Sequence, residues 1–525
     1  MKKIICMLLC LVLCVGLFAA CGEKQPAPSP TATPTVSTPP SGPTELEYYD
    51  ELSLYILDKV AIIDAFNPGA QSTANGIYGH MLYDTLVYCN LDNEYVPCLA
   101  TEWSSEDNKT FNFKLREGVK YHNGETFTAD DIAFTIDKAK DAPGTHIYDR
   151  FNQVESYEIV NEYEINLTLR SVNVDFIFDI SQPIAPILNR EAYENDPEKG
   201  PWVGTGPFYL DKLVPNDSLT LVAFEDYWGE KPLCKKFVMR HIAEETARLI
   251  MLENDEFTFC DIGSVYIPQF ENNPKFVIYS YVMNNLNYIA FNMRKPITGD
   301  KNFRMAVAHT IDREAILDIA LDGYGEIAET GALWGYKTAY KNMDLPLIER
   351  DLDKAKEYLE KSIYNGETIE ITASLPHTIN SAQVIMAQLS EIGINTELNR
   401  LDAPSMASAT AYDNNDTDIV VGSGAWTPMA SSCRSFLTPG HNSNKAVYDN
   451  PEIVQLIEEA AATSDGPDRE ALYYRIQEIL ADDIPYLGTF HMALYIGAQK
   501  GAGGAAYFPT NYHDYALAYR IKNPQ

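Results

Sequence analysis

A chain of 525 residues that is 46% hydrophobic and carries 33 tyrosines can bury a substantial core, which excludes a disordered or fibrous protein; its length exceeds what one core supports, so at least two lobes are expected. A formal net charge of −34 argues against nucleic-acid binding and against adhesion to anionic lipid. None of the histidines forms a close pair, and no HExxH or CxxC spacing occurs, so no metal site and no cofactor is expected.

The chain opens with Lys2 and Lys3 before an uninterrupted apolar run from Ile4 to Phe18, which is secretory-leader length and short for a membrane span. Ala19, Ala20 and Cys21 follow. This junction resembles the lipobox of bacterial lipoproteins, with Phe18 where leucine is more usual; the resemblance implies a leader over residues 1–20 and a diacylated Cys21 as lipid anchor. An ordinary secretory leader that happens to end near a cysteine is the alternative. Two acyl chains hold a protein stably to a membrane where one binds reversibly. Residues 22–44 are mostly Pro, Ser and Thr and cannot build a core. Semi-extended, they form a tether reaching roughly 70 Å. Loss of Lys2 and Lys3 with the leader makes the mature chain still more acidic.

Beyond the leader, Cys89, Cys98, Cys234, Cys260 and Cys433 remain, an odd number that cannot all pair within one chain. Cys89 and Cys98 flank "NLDNEYVP", a candidate hairpin tip, and are placed to bridge; one or two optional disulfides and a buried thiol are expected.

Strands and helices then alternate without a repeat. "TFNFKL" (110–115) alternates apolar and polar residues as a half-buried strand does, and "YEIVNEYEINLTL" (157–169) reads as a hairpin around Asn161 and Glu162. "SLTLVAF" (218–224), "FVMRHI" (237–242) and "YIAFNM" (288–293) are further strands. Helices dominate after residue 300. "NFRMAVAHTIDREAILDIAL" sets Phe303, Val307, Ile311 and Ala315 on one helical stripe. Gly393 is placed to end the helix of "SAQVIMAQLSEIG", and Pro451 opens "NPEIVQLIEEAAA" where its missing N–H is harmless. In "TFTADDIAFTI", Thr128 is a cap, with Asp130 and Asp131 at the positive helix end. The composition shift near 295 points to a lobe boundary.

Four ordered segments together resemble the extracytoplasmic solute-binding proteins of peptide- and nickel-type ABC importers. They are "YDTLVYCNLDNEYVPCLATEWSSEDNKTFNFKLREGVKYHNGETFTADDIAFTI" (83–136), "GTGPFYLDKLVPNDSLTLVAFEDYWGEKP" (204–232), "YIAFNMRKPITGDKNFRMAVAHTIDREAILDIALDGYG" (288–325), and "LDKAKEYLEKS" (352–362) with "QLSEIGINTEL" (388–398). The resemblance implies an α/β, two-lobed periplasmic-binding-protein-like fold (type II, large peptide-binding variant) with a hinge and an interlobe cleft. It implies lobe I over 45–290 with an inserted subdomain at roughly 76–200, lobe II over 291–488, and a return to lobe I over 489–525, where Tyr515 and Tyr519 pack back. The implied function is a non-enzymatic, monomeric lipoprotein that closes on a small solute, foremost an oligopeptide or dipeptide, and delivers it to membrane permease subunits. An oligosaccharide or a metal chelate such as nickel, or a role as a peptide-signal sensor, are the alternatives. A secreted enzyme is the rival class, but no G-x-S-x-G elbow, zinc motif or dinucleotide fingerprint supports it, and "GTGPF" lacks the helix start and third glycine of a phosphate loop.

The family's peptide binders follow a strand-end tryptophan with two acids, Trp-x-x-Asp-x-x-Asp-Pro. Here Trp426 is present, but Met429 and Ser432 fall where the acids belong, so the usual anchor for a peptide's amino terminus is missing; Asp402 is a possible substitute. Trp426 is either a stacking surface or a core residue. Gln71, Ser72 and Thr73 match pocket positions in the family's "NPGAQSTANGIY" loop, and Ser264 and Tyr266 follow an Asp-containing strand end whose next loop lines the cleft. Arg434 is a candidate for an anionic ligand group or simply a solvated cation, and His441 stands alone downstream of Trp426.

Overall fold

Two long antiparallel strands, Phe276–Phe291 and Tyr486–Gln499, run side by side and carry one sheet from one half of the molecule into the other. The computed structural model describes residues 46–56, 58–70, 75–91, 94–329, 340–425, 430–507 and 513–524. Cys21, its leader and its tether lie outside these.

In lobe I, Glu51–Ile56 pairs in parallel with Lys236–His241 and, through Leu54, with Phe259–Asp261. Ser218–Ala223 and Phe208–Val214 extend the sheet as antiparallel neighbours. A separate four-stranded sheet, built from Ala100–Ser104, Thr110–Leu115, Glu164–Leu169 and Val154–Asn161, contributes Phe111, Phe113, Ile165 and Leu167 to the same core as Leu54, Phe208, Phe237 and Phe259. The expected hairpin is thus present, with its turn at Glu162 and Tyr163. The chain's end returns to this lobe: Tyr515 lies 5.8 Å from Phe237 and 5.5 Å from Phe259, ring centre to ring centre. Gly204 and Gly206 admit the close pass of the Leu82 backbone, since a Cβ on Gly204 would stand 2.0 Å from the Leu82 carbonyl oxygen.

In lobe II, Thr368–Ala373 lies between Asn395–Arg400 and Ile419–Ala425, all three parallel. Period-two alternation there serves two cores, one on each face. Leu286, Tyr288 and Ala290 pack with Tyr473 and Ile476, while Ile289 and Phe291 pack with Phe303 and Ile385. Elements pack on both faces of this mixed sheet, so each face is buried.

The helix signals act as capping chemistry predicts. The Thr128 N–H donates to Asp131 Oδ2 at 3.0 Å ahead of Ala129–Lys140, Asn450 caps Pro451–Ala462, and Gly393 takes φ +85° shortly after Pro376–Ser390.

Three expectations need correcting. The strand containing "YIAFNM" is not a short one: it is the last part of the 16-residue Phe276–Phe291. The stripe through Phe303, Val307, Ile311 and Ala315 is not one helix but two, Lys301–Thr310 and Arg313–Leu321. Asp312 restarts the chain by accepting the Ala315 N–H at 3.0 Å, which turns Ile316 and Leu317 inward in place of Ala315. All five cysteines are free. Cys89 sits opposite Tyr95 in the hairpin register, so Cys98 lies three residues beyond the cross-strand position and does not meet it.

Burial displaces several titration points. His122 and His513 are pushed down to about 4 and His491 to about 3, while Asp84 and Asp131 are pushed up to about 6, all chiefly by desolvation. His122 is held as a neutral ring: Nδ1 accepts the Gly204 N–H at 3.1 Å, and Nε2 lies 3.0 Å from the Gly206 carbonyl oxygen. An imidazole lowered in the folded state stays neutral while the unfolded chain takes up a proton, so stability is lost as pH falls from about 6.5 toward 4. The raised carboxyls act oppositely, adding stability as pH falls from about 6 toward 4. His80, His146 and His377 are lowered in the same way and Asp64, Asp179 and Asp261 are raised, so the two sets oppose each other over this range. The stability advantage of the wild type over His122→Gln is therefore expected to shrink on acidification from about pH 6.5 to 4.5, read as a difference in urea midpoint; a difference that stays constant or grows contradicts the assignment.

Candidate functional site

The parallel strands of both lobes aim their carboxyl ends at the place where the two long strands cross between them. Asp261 ends its strand opposite Ile496, and Ala425 ends its own opposite Asn285. In open α/β sheets such ends are where ligands bind.

At this crossing the ladder slips. Val282 pairs with Ala493 and Leu286 with His491, so Met283, Asn284 and Asn285 on one strand answer Met492 alone on the other. The bulge releases side chains that regular pairing would hold in register. Asn284 Oδ1, Asn285 Oδ1 and both polar side-chain atoms of Asn287 are buried without a hydrogen-bond partner among the described residues. Asn284 is 5% exposed and Asn287 1%. Buried amides are normally satisfied, so four such atoms within four residues mark a place where a ligand's polar groups or water complete the bonding. Opposite Asn287 stands Ser423, whose hydroxyl lies 3.4 Å from His377 Nε2.

Several charges near this floor have an opposite charge close by, although Asp261 Oδ1 and Arg248 Nε are buried without a hydrogen-bond partner among the described residues. On lobe I, Arg248 lies 3.6 Å from Asp261 and stacks 4.4 Å above the Tyr55 ring, while burial raises the Asp261 carboxyl and the Tyr55 phenol. On lobe II, the buried Lys341 binds Glu329 and helps hold His491 neutral. Among the described residues the lobes touch at two places besides the shared strands. Ser264 Oγ donates to Asp322 Oδ2 at 2.8 Å, beside the edge-on rings of Tyr324 and Tyr495. Elsewhere Arg469 of lobe II grips Asp175 of lobe I at 2.5 Å, flanked by an Asn108–Ser464 bond of 3.0 Å.

Of the predicted site residues, Trp426, Gln71, Ser72 and Thr73 lie outside the described residues, as does Met429. Ser264 is at the interlobe seam. Tyr266 closes the 3-10 turn Ser264–Tyr266 and packs beside Leu249, Ile267 and Phe270. Arg434 is held by Glu458 through two bonds of 2.7 Å. Asp402 caps its own helix by accepting the Ser405 N–H at 2.8 Å, and hydrogen bonding from the Ser405 side chain and backbone holds its carboxyl below the usual range. The His441 ring accepts the Ser443 N–H at 3.2 Å. Sequence reading missed the asparagines of "MNNLN", although three residues of a strand-averse type inside a strand-forming run were a legible signal.

Two lobes, and long paired strands that cross between them carrying unpartnered carboxamides, are the architecture of a solute-binding protein. Residues 94–446 match the family described as bacterial extracellular solute-binding proteins, family 5 middle region, and the chain belongs to that family. It is 27% identical over 459 residues to the nickel-binding periplasmic protein of Escherichia coli (strain K12), spanning 82% of this chain and 87% of that protein. It is 26% identical over 485 residues to the dipeptide-binding protein of the same organism, spanning 83% and 88%. A crystal structure of a putative peptide-binding protein AppA from Clostridium difficile has the same fold, with TM-score 0.80, 22% identity, and coverage of 90% of this chain and 100% of that one.

Proposed function

We propose that this protein captures a short peptide between its lobes and hands it, chemically unaltered, to the membrane subunits of an ABC importer. Diacylated Cys21 and the following tether keep the monomeric body at the outer face of the cell membrane. The observation that carries this reading is the row of unpartnered carboxamides at the interlobe crossing, where closure encloses a ligand against groups that need one. The dipeptide-binding relative favours peptides; the nickel-binding relative makes a metal chelate the second reading.

A thermal-shift screen of the mature protein against peptides, oligosaccharides and metal chelates tests it. A true ligand at about 100 times its Kd adds about 2.7 kcal/mol of stability. A covalently altered product, or a chelate as the sole stabiliser, rejects peptide capture. Replacing Cys21 by alanine is expected to release the protein into the medium; retention at the membrane rejects the anchor.

A further inference from the structure

We infer that Asp261 receives the free amino terminus of the captured peptide, and that Asn285, on the same face of the sheet, bonds a backbone amide further along it. This rests on the peptide-capturing reading above and specifies which peptides the cleft takes. Asp261 ends the strand Phe259–Asp261 at the crossing, and its side chain is 29% exposed, yet its Oδ1 has no hydrogen-bond partner among the described residues. Two neighbouring carboxylates are engaged: Glu245 accepts the Gly263 N–H at 2.7 Å, and Asp322 accepts from Ser264 at 2.8 Å. Arg248, 6% exposed, stands 3.6 Å from Asp261 and donates to the Ile242 and Ala243 carbonyls at 3.2 and 2.7 Å, while its Nε is unpartnered too. Asp261 and Glu245 thus face one guanidinium, so an added ammonium neutralises local negative charge and is not enclosed alone. A peptide's amino end supplies both missing partners. Its ammonium donates to Asp261 Oδ1, and its first carbonyl, within a residue's length, accepts from Arg248 Nε.

Strand register sets the span. Asp261 pairs with Ile496 and Asn287 with Phe490, an even number of residues apart on one regular stretch, so Asp261, Asn287 and by alternation Asn285 share a face. Leu494, Met492 and Met283, each partly exposed, lie between them on that face as an apolar bed for side chains. Asn285 answers Met492, four residues before Ile496, and its strand lies two places from that of Asp261. That is about 13 Å along the strands and about 10 Å across them, a gap of about 16 Å, which about five extended residues cover. The preferred ligand is therefore an oligopeptide with a free amino end, not a dipeptide.

The test uses the whole mature protein and lysine-free random pools of dipeptides and pentapeptides, each made with a free and with an acetylated amino terminus. Nickel–citrate completes the panel, and affinity is read by native mass spectrometry and calorimetry. Free pentapeptides are expected to bind about tenfold or more tighter than acetylated ones, and about tenfold or more tighter than free dipeptides. In Asp261→Asn, a change of charge at constant shape, the advantage of the free terminus is expected to fall below about threefold. A purely structural role for Asp261 would weaken both pools alike and leave that ratio unchanged. Acetylated pentapeptides matching free ones on the wild type, or a ratio preserved in the folded variant, overturn the assignment while leaving peptide capture standing. The wild-type comparison decides by itself where the variant does not fold. Free dipeptides matching free pentapeptides overturn the span to Asn285. Failure of every peptide pool while nickel–citrate binds rejects the peptide reading and this inference with it, as does folded protein that binds none of the panel.

Discussion

Arg469→Ala is expected to lower stability by about 3–5 kcal/mol and to open the lobes, since it leaves Asp175 as an uncompensated buried charge. The two side chains are 4% and 9% exposed, and the guanidinium also bonds Asp465 at 2.6 Å and the Ala460 carbonyl at 3.0 Å. Arg469 stands in the first turn of Pro467–Asp483 in lobe II, whereas Asp175 precedes Phe176–Ser181 in lobe I. The pair therefore exists only with the lobes together, and part of its loss falls on the closed form alone. Urea midpoints measure the stability change, and small-angle scattering measures the opening as a larger radius of gyration. The double variant Asp175→Leu, Arg469→Met is expected to regain most of the stability, because two apolar groups leave no charge unpaired. A single variant with wild-type midpoint and radius would sink the assignment of this contact as the interlobe clasp.

Phe237→Ala is expected to cost about 3–5 kcal/mol, the loss seen for a large buried aromatic whose site cannot collapse. Phe237 is fully buried in a strand flanked on both sides, and its ring meets Phe208 at 6.2 Å and Tyr515 at 5.8 Å. The cavity would sit under the returning chain end, so protease cleavage within residues 500–524 is expected to quicken as well. Tyr515→Ala in the same background tests the coupling, expected at about 0.5–1.5 kcal/mol in a double-mutant cycle. Strictly additive losses reject direct support of the tail by this ring.

Local sequence determined the individual elements wherever one residue's chemistry decides alone. Thr128 with Asp131, Asn450 with Pro451, and Gly393 at positive φ mark helix ends because capping needs only neighbours in the chain. Alternation in "TFNFKL" likewise declared its strand before any partner was known. The ordered segments from Tyr83 to Leu398 were enough to name the family, since a whole series of local patterns is far less degenerate than any one of them.

Tertiary structure alone decided the site. That Asn284, Asn285 and Asn287 go unpaired depends on a slip in register against Ala493 and His491, some two hundred residues away, which no local rule encodes. That Glu458 stands beside Arg434 and Asp322 beside Ser264 was not legible in the sequence, and Asp175 carried no signal until Arg469 reached it. The physical reason is common to all: hydrogen bonds and ion pairs are short-ranged, so whether a polar group is spent or free is a property of folded neighbours, while propensity and capping belong to the chain itself.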